Sequence, residues 1–206
     1  FKDKEIVIPF RADMPDIVMQ ALIKKSGLDI KNDFKLQYVA TPVDAMQMLI
    51  LRRADHALLA EPAISIALRK TGSFPVKLIA PDLYRSINLQ EEWGRLYKIE
   101  AKIPQAGLAI IGDTNGKEEL ISKVLAEYDK SLAWYKNNKE EASKLVVKTL
   151  PMLEEKGLAD SIEYVRFENI SAIKSKKDLE FVFDILMQND SKLIGGKLPN
   201  EDFYYK

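Results

Sequence analysis

Apolar and polar positions in the first seventy residues repeat one unit three times. A short run of β-branched and aliphatic residues ends in a polar position and a proline, and an amphipathic stretch follows. The runs are Glu5-Ile6-Val7-Ile8-Pro9-Phe10 before Asp13-Met14-Pro15, residues 34–40 before Thr41-Pro42, and Ala57-Leu58-Leu59-Ala60 before Glu61-Pro62. Proline suits the first turn of a helix, where its missing N–H has no intrahelical partner to lose. Thr41 with Asp44, and Asp13 with Asp16, have the spacing of a capping box. Helices that follow strands this closely predict a parallel sheet with right-handed crossovers. Their N-termini then line the carboxyl edge of the strands, where open α/β sheets take ligands.

Apolar residues at Ile17, Val18, Ala21 and Leu22 give one face to a helix over 15–25, which Ser26-Gly27 ends. Ala45, Met46, Leu49 and Ile50 do the same over 42–53, and stripes of this kind are core. Val76-Lys77-Leu78-Ile79-Ala80 reads as a fourth strand. Residues 81–104 carry no sustained period and read as a connector, and 106–111 reads as another short strand, closed by a turn at 112–116. Helices are expected over 118–136, with Leu120, Val124, Tyr128 and Leu132 on one face, over 139–149, over part of 153–165, and over 177–188. Residues 194–199 read as loop. The first eighty residues thus hold strands for a complete small sheet, whereas the last hundred hold one strand and several helices. A lone strand cannot satisfy its edges, so the second half is expected to be incomplete.

At 206 residues, 47% hydrophobic and 30% charged, the chain has the composition of a globular protein of one domain or two small ones. Its 31 basic and 31 acidic side chains cancel, leaving no overall field to draw nucleic acid or an anionic membrane. Without cysteine there is neither disulfide nor thiolate chemistry. One histidine leaves almost no material for a His-rich metal centre or a Ser-His-Asp triad, and no cofactor or metal is expected. No stretch approaches the roughly 20 apolar residues of a membrane span. The opening Phe1-Lys2-Asp3-Lys4 runs almost directly into a strand, which predicts a processed or excised start with no leader.

Six pieces in order resemble the periplasmic substrate-binding proteins of ABC importers, in the nitrate/sulfonate/taurine and thiamine-precursor-like group. They are residues 4–16, Leu36-Gln37-Tyr38-Val39-Ala40-Thr41-Pro42, Ala57-Leu58-Leu59-Ala60-Glu61-Pro62, Gln90-Glu91-Glu92-Trp93-Gly94, Ile103-Pro104-Gln105-Ala106-Gly107 and Ile194-Gly195-Gly196-Lys197-Leu198-Pro199. The resemblance implies an α/β fold of the type II periplasmic-binding-protein kind, with one complete α/β lobe and a partial, helix-rich one. Residues 1–85 would be the family's second lobe, 86–105 the hinge, and 106–206 the returning part of the first lobe, whose N-terminal part is lacking. The implied function is a non-catalytic receptor, periplasmic or extracytoplasmic and membrane-anchored. It would bind a small polar solute between two lobes and hand it to an ABC permease, with no nucleic-acid partner. Self-association would follow if the missing part is truly absent. An enzyme on the same fold, resembling the chorismate dehydratase of menaquinone synthesis, is the alternative, although no paired acid and histidine arrangement is evident. A fragment with neither activity is the third reading.

Candidate ligand contacts follow from the strand edge. Arg11, Asp13 and Met14 lie between a strand end and a helix start, where free N–H groups and side chains can meet polar ligand atoms. Their bland reading is a cap beside a solvated arginine. Thr41 is an N-cap that can also line a pocket. Glu61 is a poor cap delivered to the crevice, where its carboxylate would select a cationic or N–H-rich ligand or merely favour the helix dipole. Trp93, with Tyr84, could wall a flat ligand or pack the hinge, and Gln105 could supply amide hydrogen bonds. Phe10 reads as core and His56 as structural. Acids at Asp13, Asp16, Asp44 and Glu61 oppose an anion, so a neutral or basic ligand, such as a flat aminopyrimidine, fits better than nitrate or a sulfonate.

Overall fold

A computed structural model describes residues 1–205. Strands β1 (Glu5–Pro9) and β2 (Lys35–Val39) pair in parallel, with Val7 opposite Gln37. On its other side Val7 bridges Ala57, also in parallel, donating its N–H to the His56 carbonyl at 3.0 Å and accepting from Leu58 N at 2.8 Å. β1 is therefore central, and Ile6, Val7 and Ile8 are buried on both of its faces, as in a covered parallel sheet.

The parallel arrangement follows the sequence reading, but the sheet is smaller than expected. Residues 57–60 contribute a single bridge instead of a strand. Residues 76–80 are not a strand either. Val76–Leu78 is a 3₁₀ turn in which Lys77 N donates to Ser73 O at 2.8 Å and Ile79 N to Val76 O at 3.0 Å. Those local bonds take the backbone groups that a ladder would use. Residues 106–111, the other expected strand, pair with no strand among the described residues, and Leu108, Ile110 and Ile111 are exposed.

Helices α1 (Met14–Lys25), α2 (Ile30–Asp33) and α3 (Pro42–Ile50) pack on the sheet, and α4 (Ala63–Gly72) packs on α3. α3 opens with the expected capping box: Asp44 N donates to Thr41 Oγ1 at 3.1 Å, and Thr41 N donates to Asp44 Oδ2 at 2.9 Å. α1 departs from it. Asp13 accepts from Met14 N at 2.8 Å, and Asp16 reaches one residue further back than a box would, to Ala12 N.

Helix α5 (Leu89–Tyr97) occupies the stretch read as an aperiodic connector. Its core stripe of Leu89, Trp93, Leu96 and Tyr97 does have helical spacing, diluted in sequence by Gly94 and a charged outer face. The remaining helices are α6 (Glu118–Asn137), α7 (Lys139–Thr149), α8 (Glu155–Ser161) and α9 (Ala172–Asn189), close to expectation.

Val18 and Leu22 of α1, Trp93 of α5, Val182 of α9 and Ile103 form one core cluster, so α5 and α9 pack directly on the first helix. Ile6 and Ile8 pack with Met19 and Ile23 in a second cluster, and Met46 of α3 with Ile66 and Ala67 of α4 in a third. Helix α8 touches α4 closely because residue 157 is glycine: a Cβ there would stand 2.8 Å from the Ile66 Cα. Helix α6 differs. Its stripe formed as expected, but none of its residues is buried, and Leu120, Val124 and Tyr128 face outward. Among the described residues no helix is long and apolar enough to cross a membrane.

Candidate functional site

Register fixes the candidate edge. Pro9 stands opposite Val39, so Phe10 and Ala40 follow their strand ends at one level, and residues 58–60 run toward the same edge from the parallel bridge of Val7 and Ala57. The starts of α1, α3 and α4 therefore open along a common carboxyl edge, which places Arg11, Asp13, Met14, Thr41 and Glu61 along it.

The β1–α1 loop is held in an unusual shape. Phe10 and Ala12 have φ of 54° and 64°, a left-handed conformation that side-chain-bearing residues seldom adopt and that clusters at functional sites. It turns Phe10 outward, 46% exposed, contrary to its expected place in the core. Asp16 holds the loop from beneath and is itself fully buried. Its Oδ2 accepts from Ala12 N at 2.8 Å, and its Oδ1 accepts from Gln20 Nε2 at 2.8 Å and the Tyr38 hydroxyl at 3.2 Å. The sequence signal was an acid inside an apolar run, beside Ile17, which the capping pattern masked. Above, the Arg11 guanidinium lies 5.2 Å from the Tyr38 ring centroid.

Burial pushes the Tyr38 phenol above its ordinary value, the charge of Asp16 and their hydrogen bond add to the rise, and Arg11 opposes it. A phenol whose pKa is raised by folding contributes stability that is fully present below its unfolded value of about 10 and is lost as pH climbs through the raised one. Folding stability is thus expected to fall above a pH of about 10, and less steeply in Tyr38→Phe. Denaturant titrations across that range, with tyrosinate absorbance followed in parallel, check it.

Thr41 and Asp13 act as caps, so the bland reading of each is correct in part. Glu61 is not an open carboxylate. Its Oε2 accepts from Ser65 N at 3.1 Å, and its Oε1 receives Arg85 Nη2 at 2.6 Å. Arg85 also donates to Ser65 Oγ at 2.8 Å and lies 3.7 Å from the Tyr164 ring centroid. Arg85 escaped the sequence reading because it meets Glu61 across 24 positions, a spacing that carries no local signal.

Trp93 is corrected outright. It is 1% exposed, enclosed by Tyr97 and Phe181, and offers no face to a ligand; the helical stripe of α5 turns it inward. Tyr84 is exposed, and Gln105 is exposed in the segment after the buried Ile103. His56 packs edge-on against Phe1 at 4.8 Å, in a structural role. Among the described residues no group of three or more histidine, aspartate or glutamate side chains is placed to hold a metal.

Donors are scarce along this edge. Pro15, Pro42 and Pro62 have no N–H, and Asp13, Asp44 and Glu61 accept the N–H groups of Met14, Thr41 and Ser65. An oxyanion would compete with carboxylates already in place.

A solved structure of an ABC transporter from Parabacteroides distasonis aligns with 100% of this chain and 67% of its own, at a TM-score of 0.75 and 20% sequence identity. The two share a fold. No protein-family model matches the chain, and no curated protein does. This chain's own architecture is α/β, mostly helical, with a small parallel sheet.

Proposed function

We propose that this protein is a non-catalytic solute receptor of an ABC importer, related to the nitrate/sulfonate/taurine and thiamine-precursor-binding group, and works outside the cytoplasm beside its permease. The fold it shares with an ABC transporter carries this reading. The parallel strand edge supports it further, since helix starts open along it and the first follows a strained, buttressed loop. In this reading Arg11, Asp13, Met14 and Thr41 contact a small polar solute, with Glu61 beside them. The fold would follow the type II binding-protein plan, with ligand affinity arising from closure of a cleft.

Thermal-shift measurements over a panel of oxyanions, sulfonates, amines and amino-heterocycles test it. One neutral or basic class is expected to raise Tm without being consumed, and Arg11→Ala and Asp13→Ala are expected to diminish that shift. Turnover of the bound compound would replace the receptor with an enzyme. A flat response across the panel would refute solute binding.

A further inference from the structure

Arg85 is held as a bound ligand is held. One guanidinium nitrogen donates to the Glu61 carboxylate at 2.6 Å and to the Ser65 hydroxyl at 2.8 Å, while its carbon lies 3.7 Å from the Tyr164 ring centroid. Carboxylate, hydroxyl and aromatic face together match a planar cation better than an ammonium, because the flat group can stack and donate at once. The acceptors are built in: Glu61 is 9% exposed, and Ser65 is buried. Helix α4 supplies Ser65 and is anchored on α8 through Gly157, which fixes the acceptors against the segment carrying Tyr164.

The occupant is less enclosed than the two acceptors, and the stacking ring of Tyr164 is itself 59% exposed. Arg85 is about one-third exposed and belongs to residues 81–88, which form neither helix nor strand. Its head group opens on a cleft of about 350 Å³ lined by Ser65, Arg69, Arg85, Glu163 and Tyr164. That cleft offers space for a second molecule's body once its head replaces the arginine. The exchange conserves charge, because one cation leaves Glu61 as another arrives.

We propose that Glu61, Ser65 and Tyr164 form a recognition box for a guanidinium or amidinium group, with Arg85 as its tethered stand-in. The box rests on geometry alone; only its use for a transported solute rests on the receptor reading. A tethered group competes at an effective concentration in the millimolar range, so free guanidinium compounds bind the intact protein weakly. Removing the tether's head opens the box.

Isothermal titration with methylguanidinium tests this on wild type, Arg85→Ala and the Arg85→Ala/Glu61→Gln double variant. Arg85→Ala is expected to bind roughly tenfold more tightly than wild type, and the double variant to lose that gain. Methylguanidinium, kept far below denaturing concentrations, should also restore the Tm that Arg85→Ala loses. Equal sodium chloride or tetramethylammonium, which offers charge without donors, should not. Equal binding by the single and double variants, or no gain over wild type, would overturn the box. If Arg85→Ala does not fold, Arg85→Lys keeps a charge on Glu61 but not the flat fork, and it too must gain methylguanidinium affinity. A wild-type protein deaf to every solute but with this gain would sink the receptor reading and leave the box standing.

Discussion

Trp93→Ala is expected to lower folding stability by about 3–5 kcal/mol, the range for deleting a buried aromatic side chain. Trp93 meets Phe181 edge-on at 5.4 Å and Tyr97 at 4.8 Å, and packs with Val18, Leu22, Ile103 and Val182. Truncation would open a cavity where α1, α5 and α9 meet, and side chains held from three helices cannot all collapse into it. Urea denaturation should show the loss as a lower midpoint at unchanged slope. Tryptophan emission gives a second readout, because the chain's other tryptophan, Trp134, is 41% exposed. The variant should lose the buried, blue-shifted component. A ligand-facing tryptophan would behave otherwise, sparing stability and weakening solute binding.

Asp16→Ala is expected to be nearly as damaging, at about 3 kcal/mol, for a different reason. It strands three donors at once: the Ala12 N–H, the Gln20 amide and the Tyr38 hydroxyl. A hydrogen bond to a charged acceptor contributes about 1.5–3 kcal/mol, the part-exposed donors recover some of that from water, and the left-handed Ala12 backbone loses the bond that holds it. Amide hydrogen exchange at Ala12 should quicken by more than the global loss of stability explains. Asp16→Asn keeps the shape but swaps one acceptor for a donor, so its cost should be intermediate. Loss of the carboxylate charge should also bring the Tyr38 titration down, since that charge helps to raise it. Together the two variants separate the core from the loop: Trp93 supports the body of the fold, Asp16 the shape of its candidate edge.

Where the reading of the chain succeeded, the signal was local. The first two strand-to-proline transitions, the Thr41–Asp44 box and the stripes of α1, α3 and α9 rest on contacts between residues close in sequence, where backbone sterics and capping chemistry act. It failed where an apolar run could serve two ends. Residues 76–80 and 106–111 have strand composition, yet composition cannot supply the neighbouring strand that a ladder needs. In α5 the stripe of Leu89, Trp93, Leu96 and Tyr97 has helical spacing, but Gly94 and a charged outer face dilute it.

Sequence alone therefore determined the parallel first sheet, the helix starts along its edge and the charge neutrality that gives no general pull toward nucleic acid. Only the tertiary structure decided that Trp93 is core and Phe10 is outside, that Asp16 buttresses the loop, and that Arg85 fills the grasp of Glu61 and Tyr164. The reason is range. Caps and periodicity are set by bonds between residues three or four apart, whereas burial and charge pairing depend on which distant segments the packing brings together.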